Sequence, residues 1–307
     1  MIEVEHLTKR YGDVVAVDDV SFTVRPGHVT GFLGPNGAGK STTMRMILGL
    51  DAPTSGSVLV DRRRYRQLDT PLRTIGALLD AGAVDDGRTA ANHLRWLAHS
   101  NGIERTRVGH VLDLVGLGDD ADRRVGTFSL GMRQRLGIAA ALLGDAHVLM
   151  FDEPTNGLDP DGIIWLRATM RRLAAEGRAV FVSSHLMSEV AQTADHVIVI
   201  GRGRIVADAP IDVIVAQHGL ANVHVRAERQ HDLNLQLARH GAEIDVVGDG
   251  AVSVRGLDAA AIGAIAAAEG IALSELTPHQ PSLEDAFFEL THDLTLPTSL
   301  VGATQGD

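Results

Sequence analysis

Short apolar runs and amphipathic stretches alternate along the first two thirds of the chain. Almost wholly apolar runs are typical of strands buried on both faces of a parallel sheet. We find such runs at Val29–Leu33, Val148–Phe151, Ala179–Val182 and His196–Ile200. Two alternating segments, Ile2–Leu7 and Val20–Val24, predict half-buried strands. Residues from about Thr89 to Gly144 show helical periodicity. The pattern therefore predicts an α/β domain that contains a helical region.

The last third of the chain has a different pattern. Its segments predict, in order, a strand, a helix, two strands, a helix, a strand and a final helix. These segments are Val223–Ala227, Asp232–His240, Glu243–Val247, Val252–Arg255, Asp258–Glu269, Ile271–Leu276 and Ser282–Thr291. This order favours a split βαβ, or ferredoxin-like, arrangement. Residues 295–307 have no periodicity and are expected to form a flexible tail.

Charge separates the same two parts of the chain. Residues 1–216 hold 24 basic and 26 acidic residues, whereas residues 217–307 hold 4 basic and 13 acidic residues. We therefore expect a first domain at 1–216, with a helical subdomain at about 84–144, and a small α+β domain at 217–294. The net charge of −11 argues against a general affinity for nucleic acid or anionic lipid.

Several classes of protein are disfavoured by what the chain lacks. It contains no cysteine, which removes disulfides, thiolate catalysis and cysteine-bound zinc. The first residues, MIEVEHLTKRYG, have no apolar segment of the kind found in signal peptides. No run approaches the roughly 18 apolar residues that a membrane span needs. The expectation is a cytoplasmic protein without a membrane span of its own.

A glycine-rich turn follows the predicted strand Val29–Leu33. The sequence GPNGAGKS at 34–41 matches the phosphate-binding motif G-x-x-x-x-G-K-[ST] between a strand and a helix. Its glycines let backbone N–H groups converge on phosphate oxygens, and a lysine adds a compact positive charge. The chain has 26 arginines and only two lysines, Lys40 in this motif and Lys9, which we expect to be an ordinary surface residue. The predicted triphosphate-binding residues are Gly34, Pro35, Asn36, Gly37, Ala38, Gly39, Lys40, Ser41 and Thr42.

Two adjacent carboxylates end the apolar run Val148–Phe151. Neighbouring residues of a strand point to opposite faces, so Asp152 and Glu153 are expected to have different roles. Asp152 suits a ligand of Mg²⁺, and Glu153 suits a general base that activates water. A solvated strand end is the alternative for an isolated Asp-Glu pair, and it is disfavoured beside a phosphate-binding turn.

Further motifs resemble those of the ATP-binding cassette (ABC) ATPases. FSLGMRQR at 128–135, 23 residues before Asp152 when counted from Ser129, is similar to the family's signature sequence. EPTNGLD at 153–159 resembles the extended Walker B motif and D-loop, and SSH at 183–185 resembles the switch histidine segment. Tyr11-Gly12 resembles the adenine-stacking A-loop. The resemblance covers about residues 1–210.

The resemblance implies a fold, cofactors and residue roles. The implied fold is α/β: a P-loop NTPase (RecA-like) parallel-sheet core with an antiparallel β subdomain and a helical subdomain, joined here to the small C-terminal α+β domain. ATP and Mg²⁺ are the implied cofactors. Glu153, His185 and Lys40 are the implied catalytic residues, and Ser41, Asp80 and Asp152 the implied metal ligands. Nucleotide contacts are further implied for Tyr11, Ser129, Gly131 and Asp159.

Four of these residues have simpler alternatives. Tyr11 could pack on the sheet edge, and His185 could be an ordinary structural histidine. Ser129 could cap the helix predicted at Gly131–Leu143, and Asp159 could be only a turn residue before a proline. The capping and phosphate-binding roles of Ser129 are compatible, because a capped helix N-terminus can still present N–H groups to phosphate.

The sequence departs from the family pattern at three positions. Leu130 and Met132 stand where the signature usually has Gly and Gln, whereas Ser129 and Gly131 are kept. Asp80 stands at the position of the Q-loop glutamine. A carboxylate there can still bind Mg²⁺, but it adds negative charge beside Glu153. We therefore expect metal contact to be retained and hydrolysis to be altered.

The resemblance also implies partners. One phosphate-binding turn and one signature imply a second ATP-binding subunit, expected to be another copy of this chain. No nucleic-acid partner is expected, because the chain is acidic. An integral-membrane permease subunit on a separate chain would hold the protein at the cytoplasmic face of the membrane. It would dock in a groove between the helical region and the Q-loop. Trp96 either lines this groove or is an ordinary core residue. The segment 280–291 resembles the ending of drug- and antibiotic-exporter ATPases of the type-2 class. The alternatives are a non-transport ABC ATPase acting on ribosomes or DNA and, third, a P-loop kinase.

Overall fold

The chain folds into two compact units. The structure, a computed structural model, describes residues 1–218, 222–247, 250–279, 282–284, 286–287 and 290. The units are Met1–Ile211 and Asp212–Asp307. The division therefore lies after the first residue of the helix Ile211–His218, whereas the boundary predicted from the charge shift, at 216/217, lies near the end of the same helix.

The described residues form strands and helices in the following order. The strands are β1 (Ile2–Tyr11), β2 (Val14–Val24), β3 (Val29–Leu33), β4 (Ser55–Val60), β5 (Ile75–Leu78), β6 (Val148–Asp152), β7 (Ala179–Ser184), β8 (His196–Gly201), β9 (Arg204–Pro210), β10 (Asn222–Ala227), β11 (Glu243–Val247), β12 (Ala251–Arg255) and β13 (Leu273–His279). The helices are α1 (Lys40–Ile47), α2 (Pro71–Thr74), α3 (Ala90–Ser100), α4 (Thr106–Leu114), α5 (Leu130–Leu142), α6 (Pro160–Ala175), α7 (Met187–Ala191), α8 (Ile211–His218), α9 (Gln230–Arg239) and α10 (Ala259–Ala268).

The core of the first unit is a six-stranded sheet in the order β5-β6-β7-β3-β8-β9. Its first five strands are parallel, and β9 pairs antiparallel with β8 at the edge. All five residues of β3 are buried, as the continuous apolar pattern predicted. Because parallel strands end at one edge, the ladder sets Asp152 beside Ser183 and Leu33 beside Ser184. The predicted parallel-sheet core is confirmed.

An antiparallel sheet in the order β2-β1-β4 lies in the same unit. The strands predicted as Ile2–Leu7 and Val20–Val24 are longer than predicted, because residues 8–11 and 14–19 pair as a hairpin that ends at Tyr11 and Val14. Phe22 of β2 packs against Phe32 and Phe181 of the core sheet, with ring centroids 5.7 and 5.8 Å apart. This aromatic contact joins the two sheets in one apolar core.

The helical region is built from α3, α4 and α5, as the periodicity predicted. Thr89 caps α3 by accepting from the backbone N–H of Asn92, and Ser129 caps α5 by accepting from that of Met132. Within the described parts of the chain, no helix is long and apolar enough to cross a membrane.

The second unit has a four-stranded sheet in the order β11-β12-β10-β13, with every neighbouring pair antiparallel. Leu233 and Leu237 of α9 and Ile262 of α10 pack with Val225 and Val254 of the sheet. The connection β10-α9-β11-β12-α10-β13 gives the predicted ferredoxin-like arrangement. The final helix predicted at Ser282–Thr291 lies partly, and the tail at 295–307 wholly, outside the residues that the structure describes.

Candidate active site

The phosphate-binding turn joins β3 to α1. Gly39 precedes the helix with a φ of 110°, a conformation that favours glycine. A Cβ on Gly39 would lie 2.7 Å from the carbonyl oxygen of Ala16, and one on Gly34 would lie 2.3 Å from that of Ile200. Gly39 has no side chain to cap α1, so the first N–H groups of the helix stay available to an anion.

Lys40 is buried inside this turn, with 6% of its surface exposed. Its Nζ donates to the carbonyl oxygen of Gly34 at 2.6 Å and lies 3.8 Å from Glu153 Oε1. Burial lowers the pKa of Lys40, and the charges of Glu153 and Asp152 oppose that shift. The turn therefore holds a compact cation at its centre, close to the predicted catalytic carboxylate.

Asp152 and Glu153, at the end of β6, have different hydrogen-bond partners. Asp152 Oδ1 accepts a short hydrogen bond from the hydroxyl of Ser183, and that hydroxyl accepts from the backbone N–H of Glu153 at 3.0 Å. Glu153 has a φ of 47°, in the left-handed region that residues other than Gly, Asn and Asp rarely adopt. Such a conformation costs about 1–3 kcal/mol and persists only where its surroundings fix it.

His185 follows β7 and meets Glu153. Its Nδ1 lies 2.8 Å from Glu153 Oε2, and 39% of its side chain is exposed. Glu153 thus lies between Lys40 on one carboxylate oxygen and His185 on the other. The structure brings together the three residues that the sequence suggested as catalytic, and this arrangement can hold a water-activating base in place.

The three suggested metal ligands differ in their surroundings. Ser41 is exposed on the first turn of α1, and Asp152 lies at the end of β6. Asp80 is exposed, and its Oδ1 accepts from the backbone N–H of Gly82 at 2.7 Å, which forms a turn. Nowhere in the described ranges do three His, Cys, Asp or Glu side chains gather into a metal-binding cluster. The hydroxyl of Ser41 and the carboxylates of Asp152 and Asp80 are oxygen ligands of the kind that Mg²⁺ prefers. Mg²⁺ usually binds only one or two protein groups, and water and phosphate oxygens fill its remaining positions.

The signature segment packs against the D-loop of the same chain. A Cβ on Gly131 would lie 2.7 Å from the carbonyl oxygen of Gly157, so the close approach requires glycine there. Asp159 caps α6 by accepting from the backbone N–H of Gly162 at 3.0 Å and also binds Arg135 at 3.2 Å. Leu130, one of the departures from the family, is 62% exposed beside this contact.

Tyr11, at the end of β1, is half-exposed, with 49% of its surface accessible. Its hydroxyl donates to Asp51 Oδ2 at 3.1 Å. Burial and then this hydrogen bond raise the pKa of Tyr11. Lys9, expected to be an ordinary surface residue, places its Nζ 4.7 Å from the centre of the Tyr11 ring and donates to the carbonyl oxygen of Ala52. These contacts fix the ring of the predicted adenine-stacking residue.

Sequence reasoning missed two residues that support Glu153. Ser183 connects Asp152 with the Glu153 backbone, and Gln134, buried on α5, donates from Nε2 to the carbonyl oxygen of Pro154 at 2.9 Å. Ser183 belongs to the switch segment, so its position opposite Asp152 in the parallel ladder was the available signal. A buried glutamine on an otherwise apolar helix face was the signal for Gln134.

The family of ABC transporter domains matches residues 17–156, and a family described as a domain of unknown function matches residues 221–284. The bacitracin transport ATP-binding protein BcrA of Bacillus licheniformis is 42% identical over 215 residues, which cover 69% of this chain and 70% of that protein. The Nod factor export ATP-binding protein I of Rhizobium meliloti is 32% identical over 303 residues, covering 94% of this chain and 88% of that protein.

The chain belongs to the ABC transporter family. It is an ATP-binding, ATP-hydrolysing subunit, and the predicted resemblance to exporter ATP-binding subunits is confirmed. These relatives give no support to the alternative of an ATPase that acts on ribosomes or DNA.

A solved ATP-binding subunit of an ABC transporter has the same fold. The two superpose with a TM-score of 0.65 at 28% identity, over 71% of this chain and 92% of that one. An ATP-binding cassette described as a dimer in a post-hydrolysis state, bound to ADP and phosphate, has a TM-score of 0.63 at 24% identity over 68% of this chain and 98% of its own. The predicted P-loop NTPase fold of the ABC ATPase is thereby confirmed.

Proposed function

We propose that this ABC ATPase powers export through a separate integral-membrane permease subunit, and that two copies of the chain complete its catalytic sites. The observation that carries the proposal is the placement of the Glu153 carboxylate, 3.8 Å from Lys40 and 2.8 Å from His185 at the edge where the phosphate-binding turn begins. A base held between these two residues suits hydrolysis of a bound γ-phosphate.

Each residue of the site has a separate task in this proposal. Lys40 and the N–H groups at the start of α1 bind the phosphates of ATP, and Tyr11 stacks on the adenine. Ser41 and Asp152 would hold Mg²⁺, and Asp80 would reach it from the Q-loop; the ion neutralises phosphate charge. Glu153 accepts the proton of the attacking water, while His185 keeps that carboxylate and the γ-phosphate in register.

A second copy of the chain would supply the missing part of each site. Ser129 and Gly131 lie at the start of α5, whose N-terminus can receive a γ-phosphate from another molecule. In this chain Ser129 caps its own helix, and Gly131 packs on Gly157. The contacts made by ATP in the closed pair would be absent in the open pair, and this differential affinity drives closure.

The permease would dock on the helical region at the cytoplasmic face of the membrane. Trp96 of α3 is 54% exposed, which excludes the buried core role. The Arg88 guanidinium lies 5.0 Å from the centre of its ring. An exposed tryptophan fixed by a neighbouring cation suits a contact with a protein partner. The relatives are named for the transport of bacitracin, lantibiotics and Nod factors, and we propose a drug- or antibiotic-like cargo here.

Co-purification tests this assignment. The tagged chain is isolated from detergent-solubilised cells, in its wild-type form and as Trp96→Ala. We expect a hydrophobic protein with several membrane spans to co-purify with the wild type and to be reduced by Trp96→Ala, with ATPase activity in the isolated complex. Recovery of ribosomes or DNA instead of a membrane protein would overturn the proposal.

A further inference from the structure

One carboxylate outside the recognised motifs holds together the two segments that carry Glu153 and His185. It belongs to Glu189 on α7, four residues after His185. Thr155 Oγ1 donates to Glu189 Oε2 at 2.7 Å, and Ser184 Oγ lies 3.4 Å from the same oxygen. The carboxylate therefore contacts one residue just after Glu153 and one residue just before His185.

The strand ladder does not extend to these two segments. The ladder between β6 and β7 ends at the pair Asp152 and Ser183. Both catalytic side chains lie beyond that pair, and the backbone turns away from the strand at Glu153 with a φ of 47°. Beyond the ladder, a cross-connection must come from side chains, and the Thr155–Glu189 hydrogen bond is one that joins the two segments directly.

The contact is itself anchored on both sides. On the Glu153 side, Gln134 donates to the carbonyl oxygen of Pro154, the residue before Thr155. On the His185 side, the Ser184 hydroxyl accepts from the backbone N–H of Leu186 at 2.9 Å, and Thr193 donates to the backbone carbonyl oxygen of Glu189. A half-buried carboxylate between such anchors is well placed to transmit position, because each of its neighbours is fixed.

We infer that Glu189 is a positioning residue for ATP hydrolysis: through Thr155 and Ser184 it sets the alignment of Glu153 with His185. The inference rests on the proposed function of Glu153 as the base. In this role the Glu189 side chain does not contact the nucleotide. Loss of the carboxylate is therefore expected to lower kcat and to leave the KM for ATP unchanged.

Steady-state ATPase measurements on the full-length chain test the inference. Glu189→Leu removes the acceptor and is expected to lower kcat about tenfold or more, since misplacing catalytic groups by about 1 Å costs up to 10²-fold. The KM for ATP should stay within about twofold. Glu189→Gln keeps an oxygen acceptor and is expected to restore kcat to within about threefold of wild type. Glu176→Leu, which removes an exposed ion-paired glutamate directly after α6, is the matched control and should leave kcat unchanged.

A double-mutant cycle identifies the contact responsible. Thr155→Val removes the donor and keeps the side-chain shape, so it should lower kcat as Glu189→Leu does. The double variant should lose no more than the worse single variant, because both changes remove one interaction. If Glu189→Leu does not fold, the kcat values of Thr155→Val and Glu189→Gln still test the inference.

Two results would overturn the inference. One is an unchanged kcat in Glu189→Leu and Thr155→Val with only a lower thermal midpoint, which a purely structural contact would give. The other is a double variant whose loss equals the product of the single losses. Glu153→Gln is measured alongside: if it retains full activity, the proposed base is wrong, whereas if it is inactive and Glu189→Leu is not, only the positioning role fails.

Discussion

At the residue scale, the site depends on side chains whose neighbours exclude close substitutes. Lys40 is enclosed by the turn that it serves and donates to a carbonyl oxygen of that turn. Arginine's planar fork is larger and cannot take the position of a compact ammonium. In a chain that uses arginine 26 times and lysine twice, the lysine at position 40 therefore reflects the shape of its site.

Lys40→Arg is expected to weaken ATP binding as much as Lys40→Ala does. A lost hydrogen bond to a charged group is worth about 1.5–3 kcal/mol, which corresponds to roughly 10–100-fold in affinity. Equilibrium titration of each variant with a fluorescent ATP analogue measures this loss of affinity. An arginine variant with wild-type affinity would contradict the account of the turn.

Asp80 provides a second prediction at this scale. Asp80→Gln restores the family's usual residue and removes the negative charge, so we expect the ATPase rate and its Mg²⁺ dependence to change. Asp80→Asn is the matched control, because its side-chain oxygen can still accept from Gly82 while the charge is lost. Agreement between the two variants would assign the effect to charge. An unchanged rate and Mg²⁺ dependence in Asp80→Gln would refute the role of Asp80.

At the scale of elements, the sequence predicted best where local pattern and tertiary environment agree. β3 and β11 begin and end where predicted, since each is bounded by turn residues. The outer parts of β1 (8–11) and β2 (14–19) pair with each other, and this pairing across the hairpin extends both strands beyond their predicted bounds. The strands β4, β5 and β9 were not predicted as strands. The left-handed Glu153 and the hydrogen bond between Thr155 and Glu189 also arise from tertiary packing.

Asp159 caps α6 and also belongs to the segment that resembles the D-loop. Its effects on helix stability and on ATP hydrolysis can be measured separately. Asp159→Ala should lower the free energy of unfolding by about 1 kcal/mol, because it removes the cap of α6. Asp159→Ser keeps a capping oxygen and should lower it by a few tenths of that amount. Chemical denaturation gives both values. If the serine variant is stable yet slow in ATP hydrolysis, the D-loop role holds; if it is fully active, Asp159 is only a cap.

At the scale of the whole molecule, the ATPase unit and the smaller unit differ in what is known of them. The first unit contains the segments that resemble the family motifs, with departures at Asp80, Leu130 and Met132, and it matches the ABC transporter domain over residues 17–156. The second has its own apolar core and matches a domain of unknown function. Its sequence carries much of the excess acidic charge of the chain. We propose that it stabilises or regulates the pair of ATPase units.

We propose that Glu153 activates the water that hydrolyses ATP, and that it does so within a pair of chains. Glu153→Gln preserves the size of the side chain and removes the base, so ATP should bind without being consumed and hold the pair closed. Analytical ultracentrifugation of this variant with ATP and Mg²⁺ should show a stable dimer, whereas the wild type should return to monomer as ATP is hydrolysed. A variant that binds ATP by titration yet sediments only as a monomer would contradict the account.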